Sequence, residues 1–109
     1  MVKYAQGDIA LVAGGAYSSK PRPVLIIQNP KYMTGESVIV IPFTSVGNDE
    51  IDTRIPVSPS AENGLDRDCF LEVDKISAIY ASYINKRIGR LDESSLQDVF
   101  SLAAKLIGA

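Results

Sequence analysis

The spacing of apolar residues along this chain changes once, near Asp74, and that change limits the folds open to it. Before it, apolar residues come in short β-branched runs: Ile9–Val12, Pro23–Gln28 (PVLIIQ) and Val38–Phe43 (VIVIPF). Runs of this length suit buried strands and are too short for independent helices. Gly14-Gly15 is expected to stop the first run, because glycine opens backbone conformations that other residues resist. Pro42 has no N–H for a ladder, so it is expected at an edge, a bulge or a strand end. Thr53–Val57 alternates polar and apolar residues as a half-buried strand does. Asn63-Gly64 is a turn signal, and Cys69–Val73 resumes an extended pattern.

Beyond Asp74 the pattern is ambiguous over Lys75–Ile84, where Ile76, Ile79, Tyr80 and Tyr83 fit a short helix. Asn85–Arg90 is expected to return as a strand carrying the basic cluster. Asp92 has the chemistry of an N-cap for a helix over Glu93–Ile107, with Leu91 and Leu96 placed as a hydrophobic staple. Leu96, Val99, Phe100, Ala103, Leu106 and Ile107 form one apolar stripe, and Gly108 suits the C-terminal cap. Short strands followed by one such helix predict an α+β domain. The expected form is a small, partly open β-barrel with the C-terminal amphipathic helix packed on it. Residues 1–109 are expected to form one domain, since no linker, repeat or composition break divides them.

The chain contains no histidine, which removes Ser-His hydrolysis, paired-histidine proton transfer and histidine-bound metal centres. A lone Cys69 makes neither an internal disulfide nor a cysteine-based zinc site, which fits a reducing cytoplasm. No apolar run approaches the ~20 residues of a membrane span, so no membrane partner is expected. The net charge of −2 is unevenly spread. Asp49–Asp74 carries −6, while the remainder carries +4, concentrated at Lys20 and Arg22 and at Lys86, Arg87 and Arg90. This balance argues against broad nucleic-acid binding but permits a local basic groove.

Several short motifs occur in a fixed order: Gly7-Asp8-Ile9, then Arg22-Pro23-Val24, then Val40-Ile41-Pro42-Phe43-Thr44-Ser45. They continue through Asn63-Gly64-Leu65, Leu71-Glu72-Val73-Asp74 and Ile88-Gly89-Arg90-Leu91. This ordered set, covering nearly the whole chain, resembles the MazF/PemK family of toxin–antitoxin toxins. The resemblance implies an SH3-like barrel of the CcdB/PemK type that forms a homodimer. It also implies sequence-selective cleavage of single-stranded RNA without a metal or other cofactor, giving a 2′,3′-cyclic phosphate and a 5′-OH. The implied protein partner is a cognate antitoxin whose flexible acidic segment occupies the RNA groove.

Carried over residue by residue, Arg22 matches the family's catalytic arginine. Its planar donor fork suits phosphate oxygens in the transition state, with proton donation to the leaving oxygen as a further role. Thr44 matches the family's hydroxyl, and with Ser45 it would bind a non-bridging phosphate oxygen. From the residues alone, Thr44 could equally satisfy its own turn. Asp74 aligns with an acidic residue near the family's groove, as a proton acceptor, a base-reading group or an ordinary turn aspartate. Ser18, Ser19 and Lys20, in the loop expected before Arg22, would border the RNA path. Phe43 would stack on a base or fill the core.

The chain also departs from the family pattern. The loop from Gly14 to Lys20 is short, and Tyr17 stands where an acid often lies. Lys75-Ile76-Ser77 replaces a Gln, apolar, Arg pattern, and Glu72 stands where PemK-like members place an arginine. With histidine absent as well, the PemK catalytic set does not transfer, whereas Arg22 and Thr44 do. Two alternatives share the fold. One is a CcdB-like gyrase poison, disfavoured by the absence of Trp and by the ending Lys105-Leu106-Ile107-Gly108-Ala109. The other is a noncatalytic protein- or peptide-binding module, disfavoured by Arg22 occurring with Thr44.

Overall fold

The longest apolar runs pair side by side and bury both of their faces. The computed structural model describes residues 4–14, 18–48 and 50–109. Strands β1 (Asp8–Gly14), β2 (Ser18–Ile26) and β3 (Ser37–Thr44) pair antiparallel, with Ile9 opposite Leu25 and Leu25 opposite Ile41. Those three residues share one face with Phe43, Leu71 and Val73, while Ala10, Val12, Val24, Ile26, Val38 and Val40 form a second cluster. A strand buried on both faces has no need of polar alternation, which is why these runs are continuously apolar. Strands β4 (Arg54–Val57), β5 (Cys69–Glu72), β6 (Ser77–Tyr80) and β7 (Ile84–Arg90) complete the sheet. Its order is β4-β5-β3-β2-β1-β7 with β6 also on β3, so β4 and β7 end the path and the barrel stays open.

Helix α1 (Glu93–Ile107) closes the first cluster by inserting Leu96 and Val99, with Phe100, Leu102 and Ala103 packed at its margin. Burying the first two side chains contributes about 1.5–3 kcal/mol each. Asp92 accepts the Ser95 N–H at 2.9 Å, and that bond lowers the Asp92 pKa below the ordinary carboxylate value. Leu91 is buried beside Leu96, as a staple requires, and Gly108 ends the helix at φ 77°. The apolar stripe outruns its cover, since Leu106 is 42% exposed and Ile107 76% exposed.

Three expectations are corrected. The helix expected within Lys75–Ile84 is strand β6, paired with β3 from Ser37↔Tyr80 to Val40↔Ser77 and flanked by single 3-10 turns at Val73–Lys75 and Ala81–Tyr83. β2 starts at Ser18, not Pro23, so Ser18, Ser19 and Lys20 lie on a strand and not in a loop. Ile27 donates to the Ile39 carbonyl at 3.1 Å, which turns the odd-numbered amides of β2 toward β3. Pro21 and Pro23 therefore direct their missing donors toward a flank where β3 pairing, which begins at Val24, is already absent. The first strand runs through Gly14; Gly15 and Tyr17 lie outside the described residues.

The third correction concerns Pro42, expected at an edge, a bulge or a strand end: it sits inside the central strand β3, opposite Val24 and between the stretches where β6 and β5 pair on the other flank. A missing N–H is tolerated in that gap.

Candidate nucleic-acid interface

Asn63 organises the segment between β4 and β5. Its Oδ1 accepts the Ser60 and Leu65 N–H groups, both at 3.0 Å, and its Nδ2 donates to the Ser58 carbonyl at 2.8 Å. Its own N–H donates to Ser60 Oγ at 3.0 Å, so both the oxygen and the nitrogen of this buried side-chain amide, and its backbone N–H, have partners. The turn marked by Asn63-Gly64 is thus a side-chain-built loop, with Gly64 at φ 71°, and not a two-residue hairpin. The loop docks on β7: Arg90 N–H donates to the Glu62 carbonyl at 2.8 Å, and Gly89 and Gly64 allow backbones to touch. Docking delivers Gly64, Leu65, Asp66 and Arg67 to one lip of an open groove of about 490 Å³.

The rest of that groove comes from five strands and the residue that follows one of them. Leu11 of β1, Pro21, Arg22 and Pro23 of β2, Phe43 and Thr44 of β3 with Ser45 beyond it, Cys69 of β5, and Lys86 and Ile88 of β7 line it. Arg22 and Thr44, 22 positions apart in sequence, thus line the same concavity. Arg22 is exposed, which suits a cation that meets an incoming anion. Thr44 Oγ1 accepts the Val46 N–H at 3.2 Å. Thr44 thus closes its own turn through a lone pair, and its O–H retains the capacity to donate.

The remaining candidates separate. Ser45 lines the groove and is exposed. Phe43 lines it too, is 7% exposed and belongs to the core cluster, so packing is the role its burial shows. Asp74 is exposed in the 3-10 turn Val73–Lys75, and neither it nor Lys20 is among the residues that line the groove. The side chains of Ser18 and Ser19 lie outside what is described.

The basic cluster of β7 divides between two tasks. Arg87 and Arg90 reach the buried Asp8 at 3.1 and 3.3 Å, tying β7 to the start of β1, while Lys86 turns to the groove. Asp8 also accepts the Ala5 N–H at 2.8 Å. Glu72 is likewise structural, held by Arg54 at 3.3 Å and Lys75 at 2.8 Å. The sequence marked Lys86 only as one of a basic cluster and did not mark Arg67 as a site residue; strand alternation beside Ile88 was the further signal for Lys86, and proximity to the Asn63-Gly64 turn was the signal for Arg67. Burial pushes the Cys69 thiol pKa up, Asp66 and Asp68 add to that, and Arg67 opposes it. Among the described residues no group of three His, Cys, Asp or Glu side chains is placed to hold a metal ion. No helix among them is long and apolar enough to cross a membrane.

Comparison with known proteins agrees with this geometry. A family model described as PemK-like, MazF-like toxin of type II toxin–antitoxin systems matches residues 5–107. A probable endoribonuclease MazF of Mycolicibacterium smegmatis is 40% identical over 92 residues, spanning 84% of each chain. The Mycobacterium tuberculosis toxin MazF-mt6 superposes with a TM-score of 0.74 at 24% identity, covering 93% of this chain and 96% of that one. A mycobacterial endoribonuclease solved in complex with its cognate antitoxin gives a TM-score of 0.77 at 16% identity, covering 97% and 96%. At those identities the two structures establish likeness of fold.

Proposed function

This chain belongs to the PemK-like, MazF-like toxins of type II toxin–antitoxin systems, and from that premise we propose that it is an endoribonuclease whose catalytic groups are Arg22 and Thr44. The observation that supports the assignment is that both residues line one groove. RNA supplies its own nucleophile, because the 2′-OH is tethered beside the phosphate and needs orientation more than activation. The 2′ oxygen attacks phosphorus and the bond to the 5′ oxygen breaks, leaving a 2′,3′-cyclic phosphate and a 5′-OH. Arg22 stabilises the added negative charge through paired N–H bonds to the non-bridging oxygens. Thr44 donates its O–H to one of them while Val46 fixes the oxygen from behind. The 2′ proton leaves to water in the open groove, and Arg22, or a water it orders, returns one to the departing 5′ oxygen. Asp74, outside the groove lining, takes no part in these transfers. Incubation of the purified protein with mixed single-stranded RNA in EDTA tests this. Discrete fragments are expected, and intact RNA that is cut only after a divalent metal is added refutes it.

The partners follow the same reading. An antitoxin with a flexible acidic segment suits the cations Arg22, Arg67 and Lys86 around the groove. A homodimer is supported by apolar surface on β3 and β6: Ile39 is 39% exposed and Tyr80 63% exposed, and they lie on the same face of that pairing. Light scattering at micromolar concentration is expected to give twice the chain mass. A strictly monomeric mass would remove the dimer from the account.

A further inference from the structure

We propose that Lys86 and Arg67 form a second phosphate-binding subsite in the groove, one that holds a phosphate next to the cleaved one, with Asp66 limiting its strength. The proposal rests on the endoribonuclease reading above and assigns roles to three groove residues that the cleavage step does not use.

The sheet sets the spacing. Leu11 lies opposite Pro23 on one side and Lys86 on the other, and all three line the groove, so they form one row across β2, β1 and β7. Neighbouring strands lie about 4.8 Å apart, which puts the Lys86 backbone roughly 10 Å from that of Pro23, the residue after Arg22. A cation rooted there stands beside the reacting phosphate and not beneath it. Arg67 lines the groove from the docked loop, whose residues Glu62, Asn63 and Gly64 are held against Ile88 and Gly89 backbone to backbone. Both side chains are exposed and carry charge into a concavity of a protein whose total charge is negative. Two cations from different elements therefore line one groove. A single-stranded RNA entering the groove offers phosphates in series, and the second cation pair fixes which nucleotide sits over Arg22.

Asp66 is the one carboxylate among the groove-lining residues, and its Oδ1 lies 3.3 Å from Arg67 Nε with both side chains exposed. It draws on Arg67 charge without burying it. A phosphate arriving at Arg67 meets this carboxylate as a repelling neighbour, which holds down affinity for RNA of any sequence.

The test measures binding of a short single-stranded RNA 2′-O-methylated at every ribose, which binds without being cut, by fluorescence anisotropy over a range of KCl. Removing one phosphate contact lowers the slope of log affinity against log salt by about 0.7 for a single strand. Lys86→Gln and Arg67→Gln are each expected to show that reduction, and Lys105→Gln on α1, with the same charge change, to keep the wild-type slope. Asp66→Asn is expected to bind tighter by roughly two- to fivefold at low salt, the size of an exposed ion-pair energy. In cleavage of unmodified RNA, Lys86→Gln is expected to raise KM more than it lowers kcat. Wild-type slopes in both groove variants, or an equal loss in Lys105→Gln, would overturn the subsite. Asp66→Asn binding no tighter than wild type would overturn the role of the carboxylate. If the wild-type protein leaves unmodified RNA intact, the failure belongs to the endoribonuclease reading. If it cuts RNA while the slopes stay unchanged, only the subsite falls.

Discussion

Arg22→Ala is expected to cut RNA about 10²- to 10³-fold more slowly than wild type, the usual cost of removing a donor aimed at developing oxyanion charge. Its folding stability should stay within about 0.5 kcal/mol of wild type, because Arg22 is exposed on a strand whose core contacts come from Val24, Leu25 and Ile26. Arg22→Lys separates charge from geometry. An ammonium keeps the point charge but loses the planar fork that bonds two phosphate oxygens at once, so an intermediate rate is expected. Single-turnover cleavage and thermal unfolding on the same preparations check both statements. A rate within tenfold of wild type for Arg22→Ala, or a loss of activity that tracks a loss of fold, would remove Arg22 from the chemistry.

The second large effect is structural and reaches the groove through one glycine. A Cβ at Gly89 would press into the Asn63 carbonyl group and the Glu62 carbonyl oxygen, all backbone atoms with no side chain to swing aside. Gly89→Ala must therefore push the loop off β7 and strain the Arg90–Glu62 hydrogen bond, at a combined cost of about 3 kcal/mol. For a domain of this size that corresponds to a midpoint lowered by roughly 12–24 °C. Because the same loop carries Leu65, Asp66 and Arg67 to the groove, RNA cleavage below the new midpoint should fall as well. Calorimetry and a cleavage assay at low temperature read the two effects. A midpoint within 3 °C of wild type would show that the loop docks less tightly than described.

These expectations also mark where the sequence was informative. The helix was legible to the residue because its signals are local: Asp92 caps Ser95, Leu91 packs beside Leu96, and Gly108 turns left-handed at the end. The strands of the core were legible because β-branched runs have few other uses. β6 was not, because Ile76, Ile79, Tyr80 and Tyr83 sit at spacings that a helix shares, and only pairing with β3 decides between them. The early start of β2 was hidden by Pro21 and Pro23. Two prolines read as a loop unless one knows that their missing donors face an unpaired flank.

The site divides in the same way. The resemblance picked out Arg22 and Thr44, and the fold brings them to one groove. The resemblance offered Asp74 as a groove residue or an ordinary turn aspartate; it lies in the turn that follows β5 and is not among the residues that line the groove. Lys86 and Arg87 are adjacent in sequence and alike in chemistry, but alternation sends one to the groove and the other to Asp8. No count of basic residues separates those two.

The central claim is that the substrate supplies the nucleophile while an arginine and a threonine hold its phosphate. It is tested most directly with one oligonucleotide made in two forms, all-ribose and with a single 2′-deoxy residue just before the cut, each incubated in EDTA and analysed by its end groups. The account predicts a 2′,3′-cyclic phosphate and a free 5′-OH from the first and no cleavage of the second at that position. Cutting of the deoxy-substituted strand at the same bond, or a 5′-phosphate on the product of either, would contradict it.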